Sequence, residues 1–361
     1  MNSINKDVSI ERYYGFDAAR AFFLLLGVAY HLSLPLLSDY SWLIHLSDED
    51  GLYSIFALFI RDFRMFGFFI IAGFFFNMLL DKDRPLAVVI KDRVQRVVIP
   101  LFFIGLTLNV WVAVFYETDL FSNELNVSFF TNGIWVGHLW FISNLLFYYV
   151  IFYLYLFRHK KMRLESNLPV LIFVYFLLVP ISSLGLQFLV KITNLNGVFV
   201  LFSPIHLAKF FPYFFFGMVF WVNRGVLLRV LNRRNSLYLL LAYFLVKSIV
   251  WLVLTDKYQL VVVNAFAAQF ITASFIGFFN AYFTKENKMV SGLVDASYTI
   301  YLLHHPMVIV FVAFASLYSI SANLYFSISL ILICTITYLS HSLVVKKNRI
   351  LEYLFNGKSL R

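Results

Sequence analysis

The stretch FDAARAFFLLLGVAYHLSLPLL, Phe16 to Leu37, decides how the chain is read. A helix crosses the hydrocarbon of a bilayer with about 20 mainly apolar residues, and this run is long enough and apolar enough to do so. Yet Asp17 and Arg20 stand near its start, and His31 stands well inside it. Each helical residue turns the chain by about 100°. Asp17 and Arg20, three apart, are therefore neighbours on one face. Arg20 and His31, eleven apart, share that face about three turns and roughly 16 Å apart along the axis. Titratable groups at membrane depth are rare and usually face a polar cavity or pathway. The first helix is expected to carry a polar stripe towards a site inside the membrane.

The remainder of the chain has the same character. Of 361 residues, 61% are hydrophobic, 20% aromatic and only 13% charged, where a soluble domain carries about 25% charged residues. Mean hydropathy is +0.81. Spans are expected at about 16–38, 52–80, 97–116, 138–157, 168–190, 204–223, 236–254, 260–283, 298–318 and 323–345. The second contains Arg61, Asp62 and Arg64 and is expected to be tilted, broken or partly interfacial. No polar linker divides the chain, so the fold class is all-α: one polytopic membrane domain over residues 1–361. The first run is longer than a signal-peptide core and lacks its small-residue exit, so no cleavable signal is expected. A single cysteine, Cys334, excludes an intrachain disulfide and a Cys-based metal site. No metal is expected.

Charge orients the spans, because Lys and Arg concentrate in cytoplasmic loops. Basic residues cluster at the N-terminus (Lys6, Arg12), after the second span (Lys82, Arg84, Lys91, Arg93, Arg96) and after the fourth (Arg158, Lys160, Lys161, Arg163). They recur after the sixth (Arg224, Arg229, Arg233, Arg234), after the eighth (Lys285, Lys288) and at the C-terminus (Lys346, Lys347, Arg349, Lys358, Arg361). The opposite loops hold only Lys191 and Lys257, with Asp39, Asp48, Glu49, Asp50, Glu117, Asp119, Glu124 and Asp256. Ten spans with both termini cytoplasmic follow. The net charge of +10 thus reports membrane orientation and not a nucleic-acid surface. The basic segment 81–96 is expected to be a cytoplasmic amphipathic segment, on the anionic inner leaflet or around an anionic ligand.

Within the spans, Arg61 and Arg64 lie one turn apart in a continuous helix and would share a face. Asp62 can neutralise one of them, and two buried guanidinium groups suit a carboxylate or phosphate. In SYTIYLLHHPMVIV (297–310), His304 and His305 point about 100° apart, so one is expected to line a polar cavity while the other caps a kink at Pro306. His138 and Trp140 are placed near the outer interface, where aromatic anchors gather. His206 and Lys209 are placed at the outer end of the sixth span, where Lys209 can snorkel. His45, His159 and His341 receive no role. HLSDED, His45 to Asp50, spells the H-x4-D of soluble acyltransferases. It falls on an outer loop without companion motifs, and we read it as chance.

Several of these residues fall into a pattern. Arg20, ten residues and then His31 resemble the R-x10-H signature of the acyltransferase 3 family of membrane proteins. Phe16-Asp17, FFIIAGFFF (68–76), the run Arg93 to Arg96 followed by Pro100, HLWFI (138–142) and SYTIYLLHHP (297–306) resemble its other elements in order, with Ala72 where a Ser is usual. LLLGVAYHLSL (24–34), RDFRMFGFFI (61–70) and YLFNGK (353–358) are similar to one branch, whose members succinylate osmoregulated periplasmic glucans.

The resemblance implies a multi-pass protein of the bacterial inner membrane. It would move a succinyl or other short acyl group from a cytoplasmic CoA thioester to hydroxyls of an extracytoplasmic glucan. No permanently bound cofactor is implied; succinyl-CoA or another acyl-CoA is donor substrate, and acyl-CoA, membrane lipid and the glucan are the partners. His31 would act as general base or transient acyl carrier, with Asp17 and Arg20 orienting the inner part of the site. Arg93 and Arg96 would meet the CoA phosphates. Apart from the resemblance, a buried succinyl carboxylate needs a cationic partner, and Arg61 and Arg64 are expected to hold it. His138, Trp140, Tyr301, His304 and His305 would line the acceptor side or the cavity. The alternatives are O-acetylation of another surface polysaccharide and, from a different class, transport of an anionic solute. A transporter would be expected to show inverted repeats with paired broken helices, and none is visible in the sequence.

Overall fold

Ten helices long and apolar enough to cross a membrane stand among the described residues. They are α1 (Tyr14–Leu36), α2 (Gly51–Leu80), α3 (Leu86–Val114), α4 (Val127–Leu156), α5 (Leu168–Ile192), α6 (Pro204–Val222), α7 (Arg233–Val253), α8 (Gln259–Tyr282), α9 (Lys288–Leu317) and α10 (Ala322–Val345). A short helix, α11 (Arg349–Asn356), follows. The computed structural model describes residues 12–37, 44–46, 51–82, 85–116, 127–159, 164–195, 199–253 and 256–358. Lys6, Asp39, Asp48, Glu49, Asp50, Arg84, Glu117, Asp119, Glu124, Lys160, Lys161, Arg163 and Arg361 lie outside them, as does the end of the H-x4-D stretch. Among the described residues there is no strand, only an isolated bridge between Phe199 and Phe202.

Burial separates an inner from an outer layer. The apolar stretch of α1 is 67% buried and that of α7 only 17%. Helix α1 packs against α9 and α8, and the second half of α2 against α6. That last crossing is unusually close. A Cβ on Gly73 would overlap the Phe214 carbonyl, and one on Gly217 the Ile70 carbonyl. Small residues let membrane helices approach backbone to backbone, where lipid offers no hydrophobic drive for association. Aromatic rings fill the rest of the core. Phe16 stacks on Phe74 at 4.3 Å and Phe63 on Phe275 at 4.4 Å.

Helix α2 is broken, as its three charged residues suggest. Its first helical segment ends at Arg61 and the second starts at Arg64, with Phe63 at φ −134°. No proline or glycine stands there. The break is held from outside: buried Asp62 accepts hydrogen bonds from Lys247 Nζ (2.8 Å) and Tyr243 Oη (3.0 Å), both on α7. Arg61 and Arg64 therefore do not share a face, and Asp62 pairs with neither of them. The expected pair is undone because the i,i+3 rule holds only along an unbroken helix.

From Leu86 the basic segment is helical and continuous with the rest of α3. The described ends of the chain meet at one side. Arg12 and Lys358 line the same cavity, as an even number of crossings requires. Helix α11 starts at the Asn348 cap, whose side chain accepts from the Ile350 and Leu351 amides. It ends at Gly357, φ +57°, pressed against the backbone of Gln95 and Arg96. A side chain there would be both strained and blocked.

Candidate active site

At this basic end lies a cavity of about 570 Å³. Arg12 from just before α1, Arg20 from α1, Arg93 and Arg96 from α3, and Lys346 and Lys358 from either side of α11 line it. Asp17 is shared by Arg20 (3.2 Å) and Arg12 (3.5 Å), as the three-residue spacing predicts for the first of these. Lys346 is 2.6 Å from Asp295, whose carboxylate holds the ammonium above the ordinary lysine range. Arg93 and Arg96 form no ion pair with any described residue, and Arg93 Nε is buried without a partner. These two guanidinium groups are thus the free cations of the cavity. A phosphate could take both through charge-assisted hydrogen bonds.

Behind Asp295 sits His341, which the sequence left without a role. It is buried, with Nδ1 2.8 Å from Thr299 Oγ1 and Nε2 3.5 Å from Asp295 Oδ2. Its placement at the end of the tenth span hid this. Nothing in the local pattern shows that α9 turns Asp295 and Thr299 towards it.

Deeper in the bundle, three helices bring four histidines together. The His31 ring centroid is 5.2 Å from both His304 and His305. His138 stacks on His305 at 4.6 Å and meets His304 edge-on at 5.5 Å. Both α9 histidines therefore face the site, against the expectation that only one would. Their 100° divergence opens a wedge, and the rings of His31 and His138 enter it, touching both walls. His138 is delivered by a turn and not by a regular helix. Gly137 before it takes φ +48°, and Tyr301 Oη donates to the His138 carbonyl at 2.6 Å.

The tautomer of one ring is fixed. His304 Nδ1 lies 2.5 Å from the Tyr301 carbonyl, which can only accept, so Nδ1 donates and Nε2 carries the lone pair. Nε2 of His304, Nδ1 of His31 and both ring nitrogens of His138 are buried with no hydrogen-bond partner among the described residues. Buried polar nitrogens are normally satisfied. These ring nitrogens leave the cluster able to receive a polar group. No set of three or more His, Cys, Asp or Glu among the described residues is arranged to hold a metal ion.

Arg64 completes the cluster. Its guanidinium lies over the Tyr30 ring at 4.8 Å and, with His31, His138, Trp140 and Tyr301, lines a pocket of about 20 Å³. It forms no ion pair with a described residue. Its place depends on Gly27, where a Cβ would stand 2.8 Å from Arg64 Nη1. Arg61 is exposed beyond the break. Trp140, half-buried, stacks on Phe210 (5.6 Å) and packs against His206 (4.7 Å). It is a wall of the site and not only an interfacial anchor. Lys209 lies 5.3 Å over the Phe66 and Phe210 rings, a cation–π arrangement in place of snorkelling.

The two sites adjoin. Leu24, Phe68 and Phe141 line both the basic cavity and the pocket at His31. The stripe of Asp17, Arg20 and His31 thus runs from one chamber to the other, separated by three apolar side chains.

The chain is 25% identical over 377 residues to glucans biosynthesis protein C of Escherichia coli O81 (strain ED1a), covering 97% of this chain and 96% of that one. The same figures hold for the proteins of that name from Shigella boydii serotype 4 (strain Sb227) and Escherichia coli strain K12. No solved structure matches the chain. A family profile described as an acyltransferase domain covers residues 13–342, which include every residue of the histidine cluster. This chain is therefore a multi-pass membrane protein that belongs to the acyltransferase 3 family.

Proposed function

We propose that the protein transfers a succinyl group from a CoA thioester, bound at the basic end, to a hydroxyl of an extracytoplasmic glucan in the bacterial inner membrane. One observation carries this reading. A cavity with two arginines and a histidine cluster with a third, none of them ion-paired to a described residue, share a single apolar partition. Arg93 and Arg96 suit the phosphates of the donor. Leu24, Phe68 and Phe141 suit passage of its apolar thioester arm towards His31.

At His31 the chemistry is acyl transfer with general base catalysis. His31 takes the proton of the acceptor hydroxyl, whose oxygen attacks the thioester carbonyl. The new C–O bond forms, the C–S bond breaks, and the proton passes from His31 to the departing thiolate. His304, with Nδ1 committed to the Tyr301 carbonyl, offers Nε2 as a second acceptor. The Trp140 ring offers a flat face for the sugar. Arg64 suits the terminal carboxylate of succinyl, because burial of a carboxylate requires a cation and Arg64 forms no ion pair with a described residue. The names of the relatives support a glucan acceptor.

Arg64→Ala tests the acyl group. Loss of succinyl transfer with acetyl transfer kept at the wild-type level supports the assignment, and equal loss with both donors overturns it. Mass spectrometry of periplasmic glucans from cells with and without the gene tests donor and acceptor together. A succinyl-sized mass difference is expected, and no difference removes the proposal.

A further inference from the structure

A second cavity, of about 400 Å³, shares no lining residue with the histidine cluster and lies beside the start of α5, the end of α6 and the start of α7. Its walls are Leu168 and Ile172 of α5, Phe216 and Phe220 of α6, and Tyr238 and Ala242 of α7. Ile172 and Tyr238 are exposed, so it opens sideways between α5 and α7 towards lipid. The polar side chains within it are spoken for. Tyr175 Oη donates to the Gln269 carbonyl at 2.9 Å, and Asn235 Nδ2 donates to the Val230 carbonyl at 2.7 Å. The interior therefore suits hydrocarbon and has little to offer a sugar or a nucleotide.

The mouth is different. Arg229, Arg233 and Arg234 stand in the chain between α6 and the first turn of α7, and none forms an ion pair with a described residue. Arg229 Nε donates to the Gly225 carbonyl (2.7 Å), Arg233 lies over the Tyr282 ring (5.4 Å), and Arg234 Nε donates to Tyr238 Oη (2.9 Å). Tyr238 itself lines the cavity, so the last of these ties the cationic rim to the apolar wall. Arg234, bonded to a wall residue of this sideways-open apolar slot and without an ion pair to a described residue, complements an anionic headgroup on an acyl chain. Basic pockets between helices on the cytoplasmic side recognise anionic lipids in this way.

We infer that this groove is a specific site for one anionic phospholipid of the adjacent leaflet. One acyl chain lies between α5 and α7, and the phosphate is held by Arg234 at the wall, with Arg229 and Arg233 adding positive charge from the same stretch of chain. The groove backs onto Ile70 of α2 and Phe216 of α6, beside the Gly73–Gly217 crossing. Occupancy would brace that contact by mass action, as any ligand of the folded state does.

The test is independent of the acyltransferase reading. The full chain, purified in detergent and stripped of lipid, is titrated with phosphatidylglycerol or phosphatidylcholine and followed by native mass spectrometry and thermal unfolding. One phosphatidylglycerol is expected to bind, with at least tenfold preference over phosphatidylcholine and a raised Tm. Ala242→Trp, which fills the groove from its open side, should abolish that binding. Arg229→Gln, Arg233→Gln and Arg234→Gln together should reduce the headgroup preference below threefold while binding of the chain persists. Equal retention of both lipids by the wild type, or an unchanged preference in the triple variant, overturns the inference. So does wild-type binding by a folded Ala242→Trp protein. If Ala242→Trp does not fold, the triple variant decides alone.

Discussion

Gly27→Ala separates activity from stability at the histidine cluster. The added Cβ would stand 2.8 Å from Arg64 Nη1, where ordinary contact begins at 3.4 Å. The guanidinium must then retreat by about 0.6 Å, or leave the Tyr30 ring altogether. A displacement of this order at a group that positions substrate costs up to about 100-fold in rate. We therefore expect kcat/KM for succinyl transfer to fall about 10- to 100-fold, which is ~1.4–2.7 kcal/mol of transition-state stabilisation. Stability should move the other way or not at all. Gly27 lies inside α1, and alanine is favoured over glycine in a helix interior by about 1 kcal/mol. The atom that must yield is the far end of a flexible side chain. The assay is CoA release together with mass analysis of the acceptor, on protein whose Tm is measured in the same preparation. Activity within twofold of wild type would refute the placement of Arg64 at the reacting acyl group. A parallel loss of activity and Tm would reduce Gly27 to a packing residue.

Three further outcomes are expected. His31→Ala should show no transfer above background with Tm within a few degrees of wild type; residual turnover above about one per cent would move the base elsewhere in the cluster. Arg93→Gln should raise KM for the CoA donor about tenfold with a smaller change in kcat, and a pure kcat effect would remove it from phosphate binding. Lys247→Met leaves Asp62 buried without its cation. Because Lys247 is partly exposed, the usual cost of breaking a buried pair is discounted to about 1–3 kcal/mol. Combining it with Asp62→Asn should restore most of that loss in thermal unfolding, and additive losses would refute the pairing.

Much of the candidate site lies within single helices and is readable from spacing. Asp17 and Arg20 pair because both stand on one unbroken helix, and His31 lies on the same stripe. Tyr301 and His304 are one turn apart for the same reason. Helical periodicity failed where the helix did. Arg61 and Arg64 were expected to act together, yet the break at Asp62 and Phe63 sends Arg61 outward and Arg64 inward. Its cause is Lys247 and Tyr243, some 180 residues away in sequence. The inward turn of both His304 and His305, and the burial of His341 beside Asp295, were not legible for a related reason. The rings and acids that face them come from other helices, and no local pattern encodes which face a neighbour presents.

The sequence by itself determined the ten helices and the end at which the basic loops collect. Run length and charge are local properties, and hydrocarbon leaves the backbone no alternative to helix or closed barrel. Only the tertiary structure decided that His31, His138, His304 and His305 form one cluster and that Arg64 joins them without Arg61. It alone decided that three apolar side chains stand between this cluster and the basic cavity. Those relations depend on helix crossings, which are set where backbones can touch, as at Gly73 and Gly217, while Gly27 leaves room for the Arg64 side chain.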